Sequence, residues 1–521
     1  LARLQGDAAL PAVRAIQVGH RAAFHGPWGS VLVGLAVVVW GVARAWRDAR
    51  VLPWRAAWEW ARTRWRCAPA PLQMGVMLGG LAATFLAPIH AVRLAGLVLL
   101  SASACFRPDL ALLAAVASVP LALSRVRLGP GAFSPIEVTL LVAVAGHAWN
   151  ALLAPPPPRG AWRRWIASRP LADWAVLALV LLGLATSLLA EYRHEALREW
   201  RLVLLEGALF YALLRSALRD ARLRLTITDV LWLAGLAVAL CALVLYPTSG
   251  GVIEAEGVRR ARAYFGSPNN LALYLERVLP MGLAMAWYGV TRWRRRLYGL
   301  GALPMLIAIV LTFSRGALVL GLPAAGLWFA WSAHTRAGRL AIAFLVVGVL
   351  VALPFSGGGR LDSLLDPTQG TTFLRLSLWQ AGWNMVRDHP WLGIGPDNFL
   401  YYYGDYILPG AEVDRWLSHP HNVVLDFWLR LGLGGLAVAA GMIAGLARGA
   451  RVILARVAPR ESGDSYAVTI GVVGGVCAAL AHGLIDASFF VTELAFWWLF
   501  ALAWCVTVSR QGARARTGSA G

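Results

Sequence analysis

The sequence contains no lysine: all 48 basic residues are arginine. A step that needs a cation must therefore use a guanidinium, which grips phosphate in a bidentate way and does not serve as a base at neutral pH. Lysine chemistry is excluded. Charge of either sign is scarce, with 14% charged against 59% hydrophobic residues over 521 positions and a mean hydropathy of +0.61. That balance excludes an ordinary water-soluble globular protein. Cysteine is sparse too, and Cys67, Cys105, Cys241, Cys477 and Cys505 mostly sit in or beside apolar runs with no C-x-x-C pair. They read as small core residues and exclude a disulfide or zinc–thiolate framework. No cleavable signal is evident, which suits targeting by the first apolar segments.

What fills the sequence is long apolar runs, among them Val31 to Trp46, Leu171 to Ala190, Val230 to Leu245, Leu271 to Val290, Leu340 to Phe355 and Ala467 to Phe490. Roughly a dozen to fifteen membrane spans are expected from them. The net charge of +21 does not point to nucleic acid, because the arginines cluster in short linkers such as 292–296, 336–339, 448–460 and 510–516. That is the positive-inside pattern of cytoplasmic loops.

The expected fold class is all-α: a polytopic integral membrane protein with one large outer loop containing short helices. The divisions read from the sequence are N-terminal transmembrane helices over 1–154, a Pro/Arg-rich cytoplasmic connector over 155–170 and central transmembrane helices over 171–355. A large periplasmic loop over 356–422 and C-terminal helices with a basic cytoplasmic tail over 423–521 follow. With the arginine-rich C-terminus inside, simple alternation puts every basic linker from Arg215 onward on that side. The opposite face then receives the Glu191 to Trp200 turn, the Pro247 to Asn270 loop, the Ser314-Arg315 corner and the segment from Phe355 to Asn422. Fifteen spans would put Arg3 to Arg21 outside, against the rule. In the large loop, Gly357 to Gly359 leads to an amphipathic helix over Thr372 to Arg387 and then to His389-Pro390-Trp391-Leu392-Gly393-Ile394-Gly395-Pro396. Glycine and proline at that density mark tight turns packed on the membrane domain.

The polar residues that remain gather on the outer face. His419 and His421 lie just before the span Val423 to Leu446, and an imidazole is the side chain suited to take a proton from a hydroxyl near neutral pH. Asn422 would orient that imidazole or a sugar. Two other readings stay open: the group caps the following helix, or the histidines form a metal pair completed by Asp414 or Asp426. Arg315, in Thr312-Phe313-Ser314-Arg315-Gly316, lies between two apolar spans, where a charge is costly unless it is paired, faces a polar cavity or snorkels to headgroups. Arg201, Arg262 and Arg375 lie towards the same face. Convergent guanidinium groups would bind a diphosphate and stabilise it as it leaves. His482 and Asp486 are four apart and read as a helical pair. Gly266 to Asn270 reads as a helix cap, with a glycan contact at Asn269 as the alternative. Of the 25 tryptophans, most mark span ends, and Trp383, Trp391 and Trp416 are placed to stack on sugars.

Several of these pieces, in order, resemble the O-antigen ligase and O-antigen polymerase superfamily of membrane glycosyltransferases. They are Arg262-x-x-x-Gly266-Ser267-Pro268-Asn269-Asn270-Leu271-Ala272, Ser314-Arg315-Gly316, Arg375-x-x-x-Trp379 leading to His389-Pro390-x-x-Gly393-x-Gly395, and His421-Asn422 followed after nine residues by Gly432-x-x-Gly435. The resemblance covers about Arg201 to Leu436. It implies an inverting enzyme that needs no metal or other cofactor, at the outer face of a bacterial inner membrane. Such an enzyme takes a glycan from undecaprenyl diphosphate to lipid A-core or to a second lipid-linked glycan. On this chain His421 would be the base, with Arg315 and Arg201, and Arg262 or Arg375, holding the diphosphate. Asn422, His419 and Asn269 would contact or orient the glycan. A lipid-linked glycan transporter and a metal-dependent membrane hydrolase are the rivals from other classes.

Overall fold

A computed structural model describes residues 54–128, 131–154, 166–248, 250–255, 257–333, 370–456 and 464–517, with a few single positions between them. The expected span Val31 to Trp46, most of Leu340 to Phe355, Gly357 to Gly359 and Pro155 to Pro157 lie outside the described residues. The described chain is helical, apart from two short antiparallel hairpins at 126–133 and 252–261. Six helices are long and apolar enough to cross a membrane, or seven if a bent pair counts as one span. The all-α polytopic class is what the sequence implies. Fewer helices qualify than the expected dozen because some runs lie outside the described residues and others are short, broken or charged.

The chain forms two compact units. In the first, α1 (Trp54–Cys67) and α2 (Ala70–Leu86) meet at a bend of 106°. Gln73 spans that bend, its amide donating to the Trp65 and Ala68 carbonyls at 2.8 Å each. α2 then packs on α3 (His90–Phe106) through Gly80 and Gly96, where a side chain on Gly96 would meet backbone at 2.7 Å.

The second unit holds the remaining helices. α4 (Pro108–Ser118) and the start of α5 (Pro135–Leu153) are followed by α6 (Leu171–Leu189). On α6, Leu177, Leu181 and Leu188 are 45%, 57% and 51% exposed while Val176, Leu179 and Gly183 face inward. Apolar residues turned outward in this way suit lipid as the surrounding solvent. α7 (Arg193–Glu199) runs through a π-helical turn, Trp200–Leu205, into α8 (Glu206–Ala217), and α9 (Ala221–Leu245) leads to the 252–261 hairpin. α10 (Pro268–Tyr288) and α11 (Arg292–Leu311) precede a second π-helical turn, Ala317–Gly321, and α12 (Leu322–Ser332).

At the centre, α10 lies against α16 (Asp464–Gly483). Glycines permit the close approach: a β-carbon on Gly471 would meet Met281 at 2.5 Å, and one on Gly475 the Arg277 carbonyl at 2.5 Å. α17 (Thr492–Thr517) completes this core with the fully buried Trp497 and Trp504.

The segment expected to be the large loop contributes α13 (Gly370–Asp388) and α14 (Phe399–Tyr406) before α15 (Val423–Arg456). The spacing from His421-Asn422 to Gly432 acquires a reason here. α15 breaks at Gly432 (φ 66°), and a side chain there would lie 1.9 Å from the Trp391 carbonyl oxygen. Only glycine fits that backbone and that approach. The His389–Pro396 turn docks on the break through Ile394 N–H to Leu429 O (2.7 Å), Leu433 N–H to Pro390 O (3.2 Å) and Trp428 Nε1 to Pro390 O (2.9 Å). Ion pairs reinforce it: Arg198 holds Asp397 at 2.7 Å, and Arg430 is shared by Asp426 at 2.6 Å and Glu199.

Candidate active site

The start of α15 fixes the first two residues of the site. The first N–H groups of a helix lack intrahelical partners. Asn422 supplies one, its Oδ1 accepting from Val424 N–H (3.0 Å) and Leu425 N–H (3.1 Å) while its Nδ2 donates to Leu484 O (3.0 Å). The capping reading thus describes Asn422, and the same side chain ties α15 to the loop after α16. His421 precedes the cap with φ 47°, in the left-handed region that a β-carbon disfavours. Such strain costs about 1–3 kcal/mol and persists where neighbours over-determine it. Here Trp379 Nε1 donates to the His421 carbonyl at 3.2 Å, and the imidazole Nδ1 meets Asp486 Oδ1 at 2.8 Å.

Asp486 is 2% exposed and its carboxylate accepts three bonds. Oδ1 takes the His421 Nδ1–H and the Ala487 N–H (2.8 Å), and Oδ2 takes Asn269 Nδ2 (3.0 Å). Burial alone would raise this carboxyl, but the imidazoles of His421, His482 and His419 and the hydrogen bond from His421 outweigh it and hold the group well below the ordinary carboxylate range. An ionised carboxylate only accepts, so Nδ1 carries the ring proton and Nε2 keeps a lone pair.

The network runs on through residues that the sequence reading passed over. Asn269 Oδ1 accepts from Arg260 (2.9 Å), and Arg260 Nε donates to the Thr312 carbonyl (2.8 Å). Arg260, therefore, and not Arg262, joins the Asn269 loop to the Ser314-Arg315 corner. Arg262 follows the hairpin and reaches the Gly250 carbonyl at 3.4 Å. The cap of α10 is Ser267, whose Oγ accepts from Asn270 N–H (3.1 Å), which leaves Asn269 to the network.

The expected His482–Asp486 pair is present: His482 Nε2 stands 3.9 Å from Asp486 Oδ2. α16 ends at Gly483, so the chain turns between the two residues. His482 Nδ1 faces Glu276 at 3.0 Å. Glu276 and Arg277, both fully buried on α10, escaped attention inside an apolar run. Arg277 holds Ser488 by its carbonyl (3.0 Å) and Oγ (2.9 Å), which fixes the loop that carries Asp486. Gly316 explains the third letter of Ser-Arg-Gly, because a β-carbon there would lie 2.2 Å from His482 Nε2.

Arg315 is half-buried beside that glycine, after a sharp corner at Phe313 (φ 47°). Arg375 sits one helical turn before Trp379, whose ring holds His421, and carries no ion pair among the described residues. Arg201 lies elsewhere in the π-helical turn, shared by Glu137 (3.0 Å) and Glu206 (2.6 Å). The His419 ring meets His421 edge to face at 4.2 Å. Burial first, and then the neighbouring His421, push its imidazole down to about 4, so it is neutral at physiological pH.

One nitrogen each from His419 and His421 and one oxygen of Asp486 all lie within 4.8 Å of one another, a donor set that fits a zinc-like ion. Of the two acids expected to complete such a pair, Asp426 is bonded by Arg430, and the Asp414 side chain is outside the described residues.

Residues 300–440 match the family model for O-antigen ligase. That stretch is similar to the O-antigen ligase family. The matched stretch contains Ser314-Arg315-Gly316, Arg375, Trp379, the His389–Pro396 turn, His421, Asn422, Gly432 and Gly435; Arg201, Arg260, Asn269 and Asp486 lie beyond it. No curated protein matches the chain. Together with the apolar helices, the match assigns a multi-pass membrane protein with an O-antigen ligase-like or polymerase-like function, glycosyltransferase in kind.

Proposed function

We propose that this protein transfers a glycan from undecaprenyl diphosphate to an acceptor hydroxyl, with inversion and without a metal, at the outer face of a bacterial inner membrane. The observation that carries the reading is the His421–Asp486 pair, in which the buried carboxylate holds the ring proton on Nδ1 and leaves Nε2 as the base. His421 is 22% exposed, so an acceptor can reach it. The acceptor O–H proton passes to Nε2 as its oxygen bonds to the anomeric carbon. The bond from that carbon to the diphosphate oxygen breaks, and its electron pair leaves on the diphosphate. Asp486 stabilises the imidazolium that forms.

Arg315 is the principal diphosphate ligand, with Arg375, one turn before Trp379, as the second and Arg260 holding the Thr312 corner from which Arg315 projects. Arg201, already shared by two carboxylates, and Arg262, at the hairpin end, are the weaker candidates. Asn422 and Asn269 orient the site more than they read sugars, through the helix cap and through Asp486. The acceptor is lipid A-core or a second lipid-linked glycan.

The test is turnover by the purified chain in lipid nanodiscs with undecaprenyl diphosphate-linked oligosaccharide, EDTA present, and each acceptor supplied separately. Product with lipid A-core identifies a ligase, and lengthened lipid-linked chains a polymerase. Loss of product in His421→Ala supports the base. Lipid movement without product would favour a transporter, and activity that needs an added divalent ion a metal-dependent hydrolase.

A further inference from the structure

His419 does something that the proposed reaction leaves unused. Its Nδ1 is buried and has no hydrogen-bond partner among the described residues, and burying a polar atom unpaired is costly. The nitrogen sits beside the two groups on which the proposed chemistry depends. The ring contacts His421 at 4.2 Å between centroids, and the donor atoms of His419, His421 and Asp486 lie within 4.8 Å of one another. Two imidazoles and a carboxylate are ligands that zinc takes, at about 2.0–2.2 Å each, which puts tetrahedral neighbours about 3.4 Å apart. His421 Nδ1 and Asp486 Oδ1, 2.8 Å apart across their hydrogen bond, would part to that spacing as an ion replaced the proton between them.

We propose that His419 Nδ1, His421 Nδ1 and Asp486 Oδ1 form a site for a divalent ion of the zinc class, and that occupying it switches the transferase off. The ion would take the place of the proton shared by His421 Nδ1 and Asp486 Oδ1. That proton moves to Nε2, and no proton is gained or lost in the exchange. Nε2 then has no lone pair to accept the proton of an acceptor hydroxyl. A fourth ligand, water or the acceptor oxygen, completes the tetrahedron from the exposed side of His421. The binding half of this inference stands on the donor geometry alone; the inhibitory half rests on His421 acting as the base.

The experiment keeps those halves apart. The full chain in nanodiscs is stripped with EDTA, desalted and titrated with Zn²⁺ by calorimetry, while turnover of the lipid-linked donor is followed over the same Zn²⁺ range. One ion should bind per chain, and activity should fall with a midpoint matching the binding. Replacing cobalt for zinc should give the visible absorption of a tetrahedral centre. In His419→Gln, and independently in Asp486→Asn, zinc affinity should drop by more than about 100-fold, beyond the loss of about 10–100-fold usual for a supporting group around a metal. Should either variant fail to fold, the other and the cobalt spectrum of the unaltered chain still decide. Affinity unchanged in both variants, or no cobalt spectrum, overturns the site. Zinc that binds as expected but raises turnover overturns the inhibitory half together with the metal-free base.

Discussion

Replacing Asp486 by asparagine tests the proposed base most directly, because the change keeps shape and removes only charge and one acceptor. The carboxylate serves three donors: His421 Nδ1 and Ala487 N–H on Oδ1, and Asn269 Nδ2 on Oδ2. An amide has one oxygen. Set at the Oδ1 position, it keeps the bonds from His421 and Ala487, but its NH₂ then opposes Asn269, which cannot turn over without facing its own amide towards Arg260. Set the other way, it points NH₂ at His421 Nδ1, forces the ring proton to Nε2 and removes the base. The first arrangement loses a charge-assisted bond, worth about 1.5–3 kcal/mol, and the second approaches loss of the general base, about 10²–10⁴ in rate. We therefore expect kcat to fall about 100-fold, with little change in donor KM, in steady-state assays of donor consumption. The double variant His421→Ala/Asp486→Asn should be no slower than His421→Ala alone, because the two groups act as a unit. An Asp486→Asn enzyme within about threefold of the unaltered rate would refute the coupling.

Gly432→Ala should lower thermal stability by at least about 2–4 kcal/mol, measured as melting temperature in detergent, because its β-carbon meets the Trp391 carbonyl at 1.9 Å from a left-handed backbone. Arg201→Gln leaves Glu137 and Glu206 without a counter-charge and should cost about 2–3 kcal/mol, less than a fully buried pair since Arg201 is one-third exposed. A raised donor KM with unchanged melting would instead return Arg201 to the diphosphate. Arg315→Lys should cut kcat at least about tenfold, since an ammonium keeps the charge and loses the bidentate fork. Activity should fall on the acid side of its pH profile. His419, pushed to about 4 by burial with Asp486, Asp426, His421 and Arg430 around it, stays neutral through that range, so the acid limb should keep its midpoint in His419→Gln. A displaced limb would assign the titration to His419.

The polar cluster around His421 was legible because polar residues stand out against an apolar chain. His421 and Asn269 meet on Asp486, Asn422 follows as the cap, Arg375 lies one turn before Trp379, and Arg315 adjoins Gly316. Asp486 was visible only as a partner of His482, because spacing along a helix does not reveal its shorter bond to His421, 65 residues away. Arg260 was passed over for its neighbour Arg262. The two differ in which one the hairpin turns towards Thr312 and Asn269, and two-residue spacing alone does not reveal that. Glu276 lay inside an apolar run, where hydropathy averages a single buried acid away, and its partner His482 is 206 residues distant.

The sequence by itself determined the solvent, the helical class, the all-guanidinium cation set and the stretch in which a base would lie. Each of these follows from local composition and hydropathy, which any folded arrangement of the chain must respect. Only the tertiary structure decided that His421 is held by Asp486, that Asn422 spends its side chain on a helix cap, and that Gly432 exists to let the Trp391 carbonyl approach. The first and last of these join residues tens of positions apart, the cap depends on where the chain turns into α15, and their energies depend on distances of 2–4 Å that no pattern along the chain encodes.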